Sequence, residues 1–373
     1  MLRHKKIYLL ANNMDVLENI ALKYAAYCDV LGVITENVNF CSDYFSVYNT
    51  NILNKINFND TKIVIADNDN MVYFIRMLQS QKLQLIKDWI PHWLLEANEI
   101  DPLKLYQFVG KDKKRFIDAL SELKKIKKIM LFNGNCQTVA IRYYLKRVKE
   151  FTDNYWIFSM PWFWIEKNTD KYNILIDLDI YKFADVFVTQ QIKENNAFGS
   201  NISTHNLIGK LDEKCRVIVI PNVYSQVYYP QSGKIAADDK LINRQGLKLF
   251  KDFFDVNIYN MVRNGEKTED ILDKICDVDF YTYDEIRNRF EREIQENAKR
   301  EESCDIKILD FIQNNLNKEI LFESTAHPSE CVMTELTKRL LETIGINDEV
   351  SSDGGYTAME YQETREVLYI LLL

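Results

Sequence analysis

The chain has 373 residues, 47% of them hydrophobic and 27% charged, so it is long enough for two packed domains and is not a disordered protein. Its formal net charge of −8 argues against a dedicated nucleic-acid-binding protein, because contacts to phosphates need a clustered positive surface. The seven cysteines are scattered without CxxC spacing, which is typical of reduced thiols and predicts no metal site. The N-terminus lacks the pattern of a signal peptide, and no uncharged run approaches the roughly 20 residues that span a bilayer. We therefore expect a cytoplasmic protein without a transmembrane segment.

The first part of the chain alternates apolar strands with amphipathic helices. Strands are predicted at 5–11, 28–35 and 61–67, and helices at 14–26 and 69–80. This spacing indicates a parallel sheet. The turn after the first strand reads LANNMD and lacks the G-x-G-x-x-G glycines that let a backbone approach a pyrophosphate. We interpret residues 1–125 as a Rossmann-like module that serves as a scaffold or interaction domain.

The rest of the chain, residues 126–373, alternates again after a predicted helix at 112–126. Strands are predicted at 128–132, 154–159, 185–189, 216–220 and 319–324, and helices at 137–149, 172–182, 204–212 and 329–344. Residues 238–316 form a charged helical insertion, in which Thr282 and Glu285 match a capping box. We expect this insertion to form a lid or the wall of a cleft. The predicted fold class is α/β: a Rossmann-like module followed by a parallel-sheet α/β domain with a helical insertion.

Four polar residues follow predicted strands of the second domain. They are Cys136, Gln190, Asn222 and His327. Ligands of open parallel sheets bind outside the carboxyl ends of the strands. We therefore predict that these four side chains meet in one crevice.

Cys136 lies on the turn FNGNCQ, between a predicted strand and a predicted helix. A helix N-terminus favours negative charge, so this position is expected to lower the thiol pKa. The turn amides, with the Asn135 side chain, could instead hold an oxyanion, and Gly134 permits a turn that a side chain would obstruct. A buried, unreactive cysteine is the alternative interpretation. His327 is the candidate base, with capping of the next helix as its alternative role.

Other polar and aromatic residues lie near these positions. Tyr224, Tyr228 and Tyr229 follow Asn222 and could line a pocket, whereas the aromatic run at 155–166 is typical of core packing. Arg142 and Lys146, behind Cys136 on the same helix, could meet a phosphate or remain solvated.

From about residue 127 to 345 the chain resembles the polysaccharide-biosynthesis acetyltransferase family typified by WcbI. The segments that carry the resemblance are NGNCQ, FADVFVTQQI, PNVYSQVYYPQ and STAHPSECVMTEL. A more distant resemblance to SGNH-type hydrolases places Cys136 at the position of their serine. The resemblance implies a fold of that type and binding of coenzyme A or acetyl-CoA. It also implies O-acetylation of a capsular or other cell-surface saccharide.

The family pattern is matched residue by residue. The candidate catalytic residues are Cys136, His327 and Asn135, and the candidate coenzyme A contacts are Gly134, Gln137, Gln190, Asn222 and Tyr229. One departure is the absence of the hydrolase-like aspartate just before the histidine, where Ser324, Thr325 and Ala326 stand instead. A carboxylate that orients His327 must therefore come from elsewhere in the chain.

The sequence leaves two mechanisms and two rival functions open. Either Cys136 forms an acyl-enzyme, or His327 activates a sugar hydroxyl for direct attack on the thioester. Direct transfer is preferred, because no carboxylate stands beside His327 to sustain its basicity through two steps. The rivals are an SGNH-like glycan esterase or deacetylase and a non-catalytic carbohydrate- or nucleotide-binding partner of a glycosyltransferase. The expected partners are a saccharide acceptor and other glycan-synthesis enzymes, in an oligomeric state that the sequence leaves open.

Overall fold

The computed structural model describes residues 5–26, 28–37, 44–67, 69–160, 169–196, 199–233 and 254–351. The strands are β1 Lys6–Leu10, β2 Asp29–Ile34, β3 Val47–Tyr48, β4 Thr61–Ile65, β5 Trp89–Pro91, β6 Glu99–Ile100, β7 Lys128–Asn133, β8 Tyr155–Phe158, β9 Val186–Gln190, β10 Arg216–Ile220, β11 Ser232–Gly233, β12 Phe254–Asp255, β13 Phe322–Ser324 and β14 His327–Pro328. The helices are α1 Met14–Ala25, α2 Met71–Ser80, α3 His92–Glu96, α4 Pro102–Phe108, α5 Lys113–Lys124, α6 Cys136–Leu145, α7 Lys149–Asn154, α8 Thr169–Asp177, α9 Thr204–Ile208, α10 Val256–Arg263, α11 Thr268–Ile275, α12 Tyr283–Glu301, α13 Leu309–Asn315 and α14 Glu330–Ile344. Short 3₁₀ turns occupy Thr50–Lys55, Ile180–Phe183 and Ser200–Ile202.

The first sheet is parallel throughout, in the order β3-β2-β1-β4-β5. This order confirms the predicted parallel α/β architecture and is that of a Rossmann half. The strands are apolar runs because helices cover both faces of such a sheet, and Leu9, Leu10, Ile63 and Val64 are fully buried. The order reverses between β1 and β4, which is where a ligand crevice is expected.

At this position a carboxylate of the protein itself bonds the backbone that follows β1 and β4. The buried carboxylate of Asp67, just after β4, accepts hydrogen bonds from the backbone N–H groups of Asn12, Asp69 and Asn70 at 3.0–3.1 Å. The side-chain amide of Asn70 donates a further bond at 2.9 Å. Asp67 thus takes up amide donors that a dinucleotide site would offer to phosphate. These contacts are consistent with the prediction that residues 1–125 serve as a scaffold or interaction domain, which stays a prediction.

Asp67 should stabilise the first sheet in a pH-dependent way. Burial raises its pKa, but its hydrogen bonds together outweigh burial and hold that pKa below the ordinary 3.8. The stabilisation is therefore complete above pH 3.8 and is lost as the pH falls through the lowered folded-state pKa. We expect Asp67→Asn to cost about 1–3 kcal/mol of unfolding free energy at pH 7, measured by urea denaturation. Asp29→Asn, at the exposed start of β2, is the control, and equal midpoints for the two variants would contradict the assignment.

The second sheet is also parallel, in the order β10-β9-β7-β8-β6. Its edge strand β6 precedes the boundary predicted at 125/126, and Glu99 and Ile100 pair with Ile157 and Phe158. One apolar cluster continues from the first sheet to the second, and its members include Ile7, Leu9, Ile90, Ile100, Ile129, Leu131, Trp156, Phe158 and Phe187. The two sheets therefore share a hydrophobic core.

One predicted strand is placed differently from the expectation. The region 319–324 was expected to join the parallel sheet, but β13 pairs antiparallel with β14 in a two-stranded hairpin. The prediction that His327 follows a strand of that sheet is therefore wrong. Predicted helices at 172–182 and 204–212 are also shorter, because α8 ends at Asp177 and α9 at Ile208. Asp179, just after α8, has a positive φ of 58°, which a continuing helix could not contain.

The insertion is helical where it is described. It contains α10–α13, and α12 begins with the predicted capping box, in which Thr282 accepts from the N–H of Glu285 and the Glu285 side chain accepts from the N–H of Thr282. Residues 234–253 of the insertion lie outside the described residues. Within the described ranges no helix is both long and apolar enough to cross a membrane.

Candidate functional site

The turn between β7 and α6 is tightly packed. Gly134 is buried, and a Cβ at this position would clash with Thr138 Cγ2 and lie 2.7 Å from Gln190 Oε1. The close approach of these two neighbours, rather than a positive φ, requires glycine here. Glycine is therefore required at this turn, as the sequence predicts, but the reason is the space beside it and not the backbone conformation.

Asn135 is the N-cap of α6 and links two strand ends. Its Oδ1 accepts from the N–H of Gln137 at 3.0 Å, and its own N–H donates to Gln190 Oε1 at 2.9 Å. Its Nδ2 donates to Oδ1 of the exposed Asn222 at 2.9 Å. Within the described part of the chain, the second Nδ2 hydrogen has no acceptor. Asn135 therefore retains one side-chain donor beside the exposed Asn222.

The Gln137 side chain, which is 2% exposed, fastens the turn to two other segments. Its Nε2 donates to the carbonyls of Val223 and Ala326 at 2.5 and 3.1 Å, and its Oε1 accepts from the N–H of Val223 at 3.0 Å. Gln190 Nε2 donates to the same Oε1 at 3.2 Å. Gln137 thus joins the turn that carries Cys136 to the residue next to His327.

A buried polar network behind Gln190 was missed by the sequence reasoning. Asn133 donates to Thr189 Oγ1 at 3.2 Å and accepts from the Tyr172 hydroxyl at 2.9 Å. Thr189 and Thr204 hydroxyls both donate to the Gln190 carbonyl at 2.8 Å. These bonds fix the end of β9, and the signal in the sequence was a polar residue at the end of each otherwise apolar strand.

The environment of Cys136 differs from the expectation. The backbone N–H groups of Cys136 and Gln137 lower the thiol pKa, but burial has the larger effect and raises that pKa to about 11. The prediction of a lowered pKa is therefore wrong, because burial disfavours the thiolate more strongly than the two backbone N–H groups favour it. Cys136 is a neutral thiol at pH 7.

His327 lies in the hairpin, half-buried, beside Ser324. Its Nδ1 is 2.6 Å from Ser324 Oγ, which occupies part of the stretch where a hydrolase would carry its aspartate. Burial lowers the His327 pKa below 6.5, so the imidazole is neutral at pH 7. A neutral imidazole can accept a proton, which is the property required of a general base.

The tyrosines after Asn222 mainly tether the insertion and the hairpin. Tyr228 donates to the Leu316 carbonyl at 3.2 Å, and Tyr229 donates to the carbonyls of Phe322 and Glu323. Tyr155 and Trp156 are buried in the core as predicted, while residues 161–166 of the aromatic run lie outside the described residues.

The two cations behind Cys136 are already paired. Arg142 and Lys146 both form ion pairs with Glu99, the latter at 2.8 Å. Glu99 belongs to β6, so these pairs fix the edge of the sheet to α6. The described residues contain no group of three His, Cys, Asp or Glu side chains that could hold a metal ion.

The structure joins four of the predicted site residues and the backbone beside His327 in one hydrogen-bonded assembly. Asn135, Gln137, Gln190 and Asn222 are joined directly, and His327 is joined through its neighbour Ala326. The side-chain bonds of Gln137 and Gln190 are made inside the protein, which gives both residues a structural role. Their contact with coenzyme A stays a prediction, as do those of Gly134, Asn222 and Tyr229.

Comparison with known proteins identifies relatives of the second part of the chain. A family model described as the polysaccharide biosynthesis enzyme WcbI matches residues 129–349, more than half of the chain. A solved structure of WcbI is described as a novel polysaccharide biosynthesis enzyme, in a native form without a disulfide bond between coenzyme A and a cysteine. It superimposes with a TM-score of 0.53 and 18% identity, over 62% of this chain and 74% of that chain, which supports the fold. No curated protein matches the chain.

Proposed function

The chain belongs to the WcbI family of polysaccharide biosynthesis enzymes, as its motifs predicted, and on this premise we propose that it is an acyltransferase. It transfers an acyl group, acetyl in the simplest case, from acetyl-CoA to a hydroxyl of a capsular or other cell-surface saccharide. The donor is supported by the solved WcbI structure, whose description names coenzyme A and a cysteine.

One observation carries the proposal. Gln137 Nε2 donates to the Ala326 carbonyl at 3.1 Å, so the turn with Cys136 and the hairpin with His327 are held together although 189 positions separate Gln137 from Ala326 in the chain. A neutral imidazole and a helix N-terminal turn, carried by two segments that this hydrogen bond joins, are the parts that acyl transfer requires: a base and donors for an oxyanion.

Direct transfer fits the protonation states better than an acyl-enzyme. Neutral His327 takes the proton of the sugar hydroxyl while the oxygen attacks the thioester carbonyl. The second Nδ2 hydrogen of Asn135, which has no acceptor among the described residues, stabilises the resulting oxyanion. The C–S bond then breaks, and the coenzyme A thiolate receives the proton from the imidazolium. In this scheme the protonated Cys136 lines the site without becoming acylated.

Titration with coenzyme A tests the proposal. A ligand that binds the folded state raises the unfolding temperature, so millimolar coenzyme A should stabilise the protein more than the same concentration of ATP does. Absence of any stabilisation would overturn the acyltransferase and favour an esterase, which uses water as the acceptor and needs no coenzyme A. Release of free thiol from acetyl-CoA on addition of a saccharide acceptor would then establish transfer.

Cys136→Ala separates the two mechanisms. Loss of a covalent nucleophile costs on the order of 10⁶-fold in rate, whereas direct transfer predicts a loss of less than about 10-fold. The rate of acyl transfer in the variant is measured as thiol release from acetyl-CoA. Covalent acylation is measured separately, by acid quench of the wild-type protein with radiolabelled acetyl-CoA and mass spectrometry of the protein. A labelled acetyl group trapped on Cys136 would reject direct transfer. Cys331→Ala, on α14 outside the joined assembly, is the control.

A further inference from the structure

Helix α12 of the insertion lies along the chain segment that follows β10. Arg289 Nη1 donates to the Pro230 carbonyl at 3.1 Å, and the Arg300 guanidinium lies 4.0 Å from the centre of the Tyr224 ring. Glu293 lies between these two arginines, on the same face of the helix. The insertion therefore packs directly on the segment that carries Asn222.

Glu293 makes the central contact of this face. Its carboxylate accepts from Ser225 Oγ at 2.8 Å and from the backbone N–H of Gln226. The carboxylate is half-buried, and burial raises its pKa although both hydrogen bonds lower it. A desolvated carboxylate is costly unless its bonds are made, so this contact fixes the backbone at 225–226 firmly.

The segment held by Glu293 touches both halves of the candidate site. On one side, Asn222 accepts from Asn135, and Val223 exchanges two hydrogen bonds with Gln137. On the other side, the N–H of Ser225 donates to the Thr325 carbonyl at 3.0 Å, two residues before His327. The Ser225 hydroxyl thus donates to Glu293, and the Ser225 backbone N–H donates to the hairpin.

We propose that Glu293 is a positioning residue of the site: through Ser225 it sets the distance between the His327 hairpin and the Cys136 turn. The expected effect on the rate of acyl transfer rests on the proposed function, whereas the expected effect on the His327 pKa does not. The aspartate that a hydrolase carries just before its histidine is absent here. Glu293 of the insertion supplies an orienting carboxylate instead, and it orients the backbone of the hairpin rather than the imidazole itself. Under this proposal the insertion holds the site residues in place. Helix α12 then acts as a fixed wall of the site and not as a lid that moves over it.

The test begins with a measurement that needs no substrate. The chain has four histidines, so the His327 imidazole signal in an NMR titration is assigned by its absence in His327→Gln. In Glu293→Ala the hairpin is released and hydrated, so the His327 pKa should rise toward 6.5. Glu291→Gln, an exposed glutamate on the same helix paired with Arg287, should leave it unchanged.

The second measurement is kinetic. Displacement of a reacting group by about 1 Å can cost on the order of 10²-fold, so kcat for thiol release from acetyl-CoA should fall about 10- to 100-fold in Glu293→Ala. The KM for acetyl-CoA should stay within about twofold, since uniform binding is unaffected. Glu293→Gln, which keeps the shape and one acceptor, should recover part of the loss in kcat.

The outcomes are distinct. A His327 titration identical in Glu293→Ala, Glu293→Gln and Glu291→Gln overturns the positioning role, whatever the protein catalyses. If Glu293→Ala does not fold, Ser225→Ala provides the second variant. It removes the hydroxyl that donates to Glu293 and accepts from the N–H of Val227, and it leaves the Glu293 bond to the N–H of Gln226 in place. The His327 pKa should shift in the same direction, and the absence of a shift rejects the proposal. A shifted His327 pKa in a protein without acyltransferase activity would keep the positioning role and reject the proposed function.

Discussion

Replacement of His327 by glutamine should lower the rate of acyl transfer by about 10²- to 10⁴-fold, which is the usual contribution of a general base. Glutamine has similar bulk and can accept from Ser324, so the hairpin should persist while the proton acceptor is lost. Coenzyme A should still stabilise the variant against heat. The rate is measured as thiol release from acetyl-CoA with the saccharide acceptor.

The pH dependence of the rate provides an independent check on His327. Burial lowers its pKa below 6.5, so the neutral base predominates at pH 7 and is lost as the pH falls through the lowered value. The rate should therefore stay near its plateau from pH 7 to 8 and decline as the pH falls through the pKa of His327. His205→Gln, on an exposed position of α9, should keep the wild-type rate and profile. A His327→Gln enzyme with the full rate would exclude His327 as the base.

Replacement of Gln137 by alanine should have the largest effect on stability. The side chain bonds the N–H and the carbonyl of Val223, the Ala326 carbonyl and the Gln190 amide, and all four groups would lose this partner. The bonds to Val223 and Gln190 are buried. One unsatisfied buried group costs about 1–3 kcal/mol, so we expect about 3 kcal/mol or more in unfolding free energy. Urea denaturation measures this loss.

Two further variants make the Gln137 result specific. Gln137→Glu keeps the side-chain volume but directs a carboxylate at two carbonyls, so it should destabilise the protein at pH 7 and less so at pH 5 as the carboxyl group protonates. Gln191→Ala, an exposed neighbour of Gln190, should change stability by less than about 0.5 kcal/mol. Similar midpoints for Gln137→Ala and Gln191→Ala would contradict the bridging role.

Much of the architecture could be predicted from local sequence. The apolar runs that became β1, β2, β4 and β7–β10 are buried in parallel sheets, where continuous hydrophobic strands are required. The start of α6 was also predictable, because Asn135 is a strong N-cap and Gly134 marks a close approach. β6 was missed because two residues carry no periodicity.

The features that sequence could not predict depend on contacts far apart in the chain. A short apolar run such as 319–324 indicates a strand but not its partner, which here is β14 rather than the sheet. The pKa of Cys136 depends on how burial compares with the local amides, and a turn motif contains no information on depth. In the sequence, Gln137 is an ordinary second residue of a helix. Its bridging role depends on hydrogen bonds to Val223 and Ala326, which lie far away in the chain.

The core shared by the two sheets constrains how this protein could be divided or rearranged. A cut at 125/126 would remove β6 from β8 and leave a bare apolar strand edge, which is a template for aggregation. It would also separate Arg142, which is buried, from Glu99. Melting either sheet exposes the common apolar cluster, so calorimetry should record one cooperative transition rather than two. Recombination with other members of the family would have to exchange both sheets together.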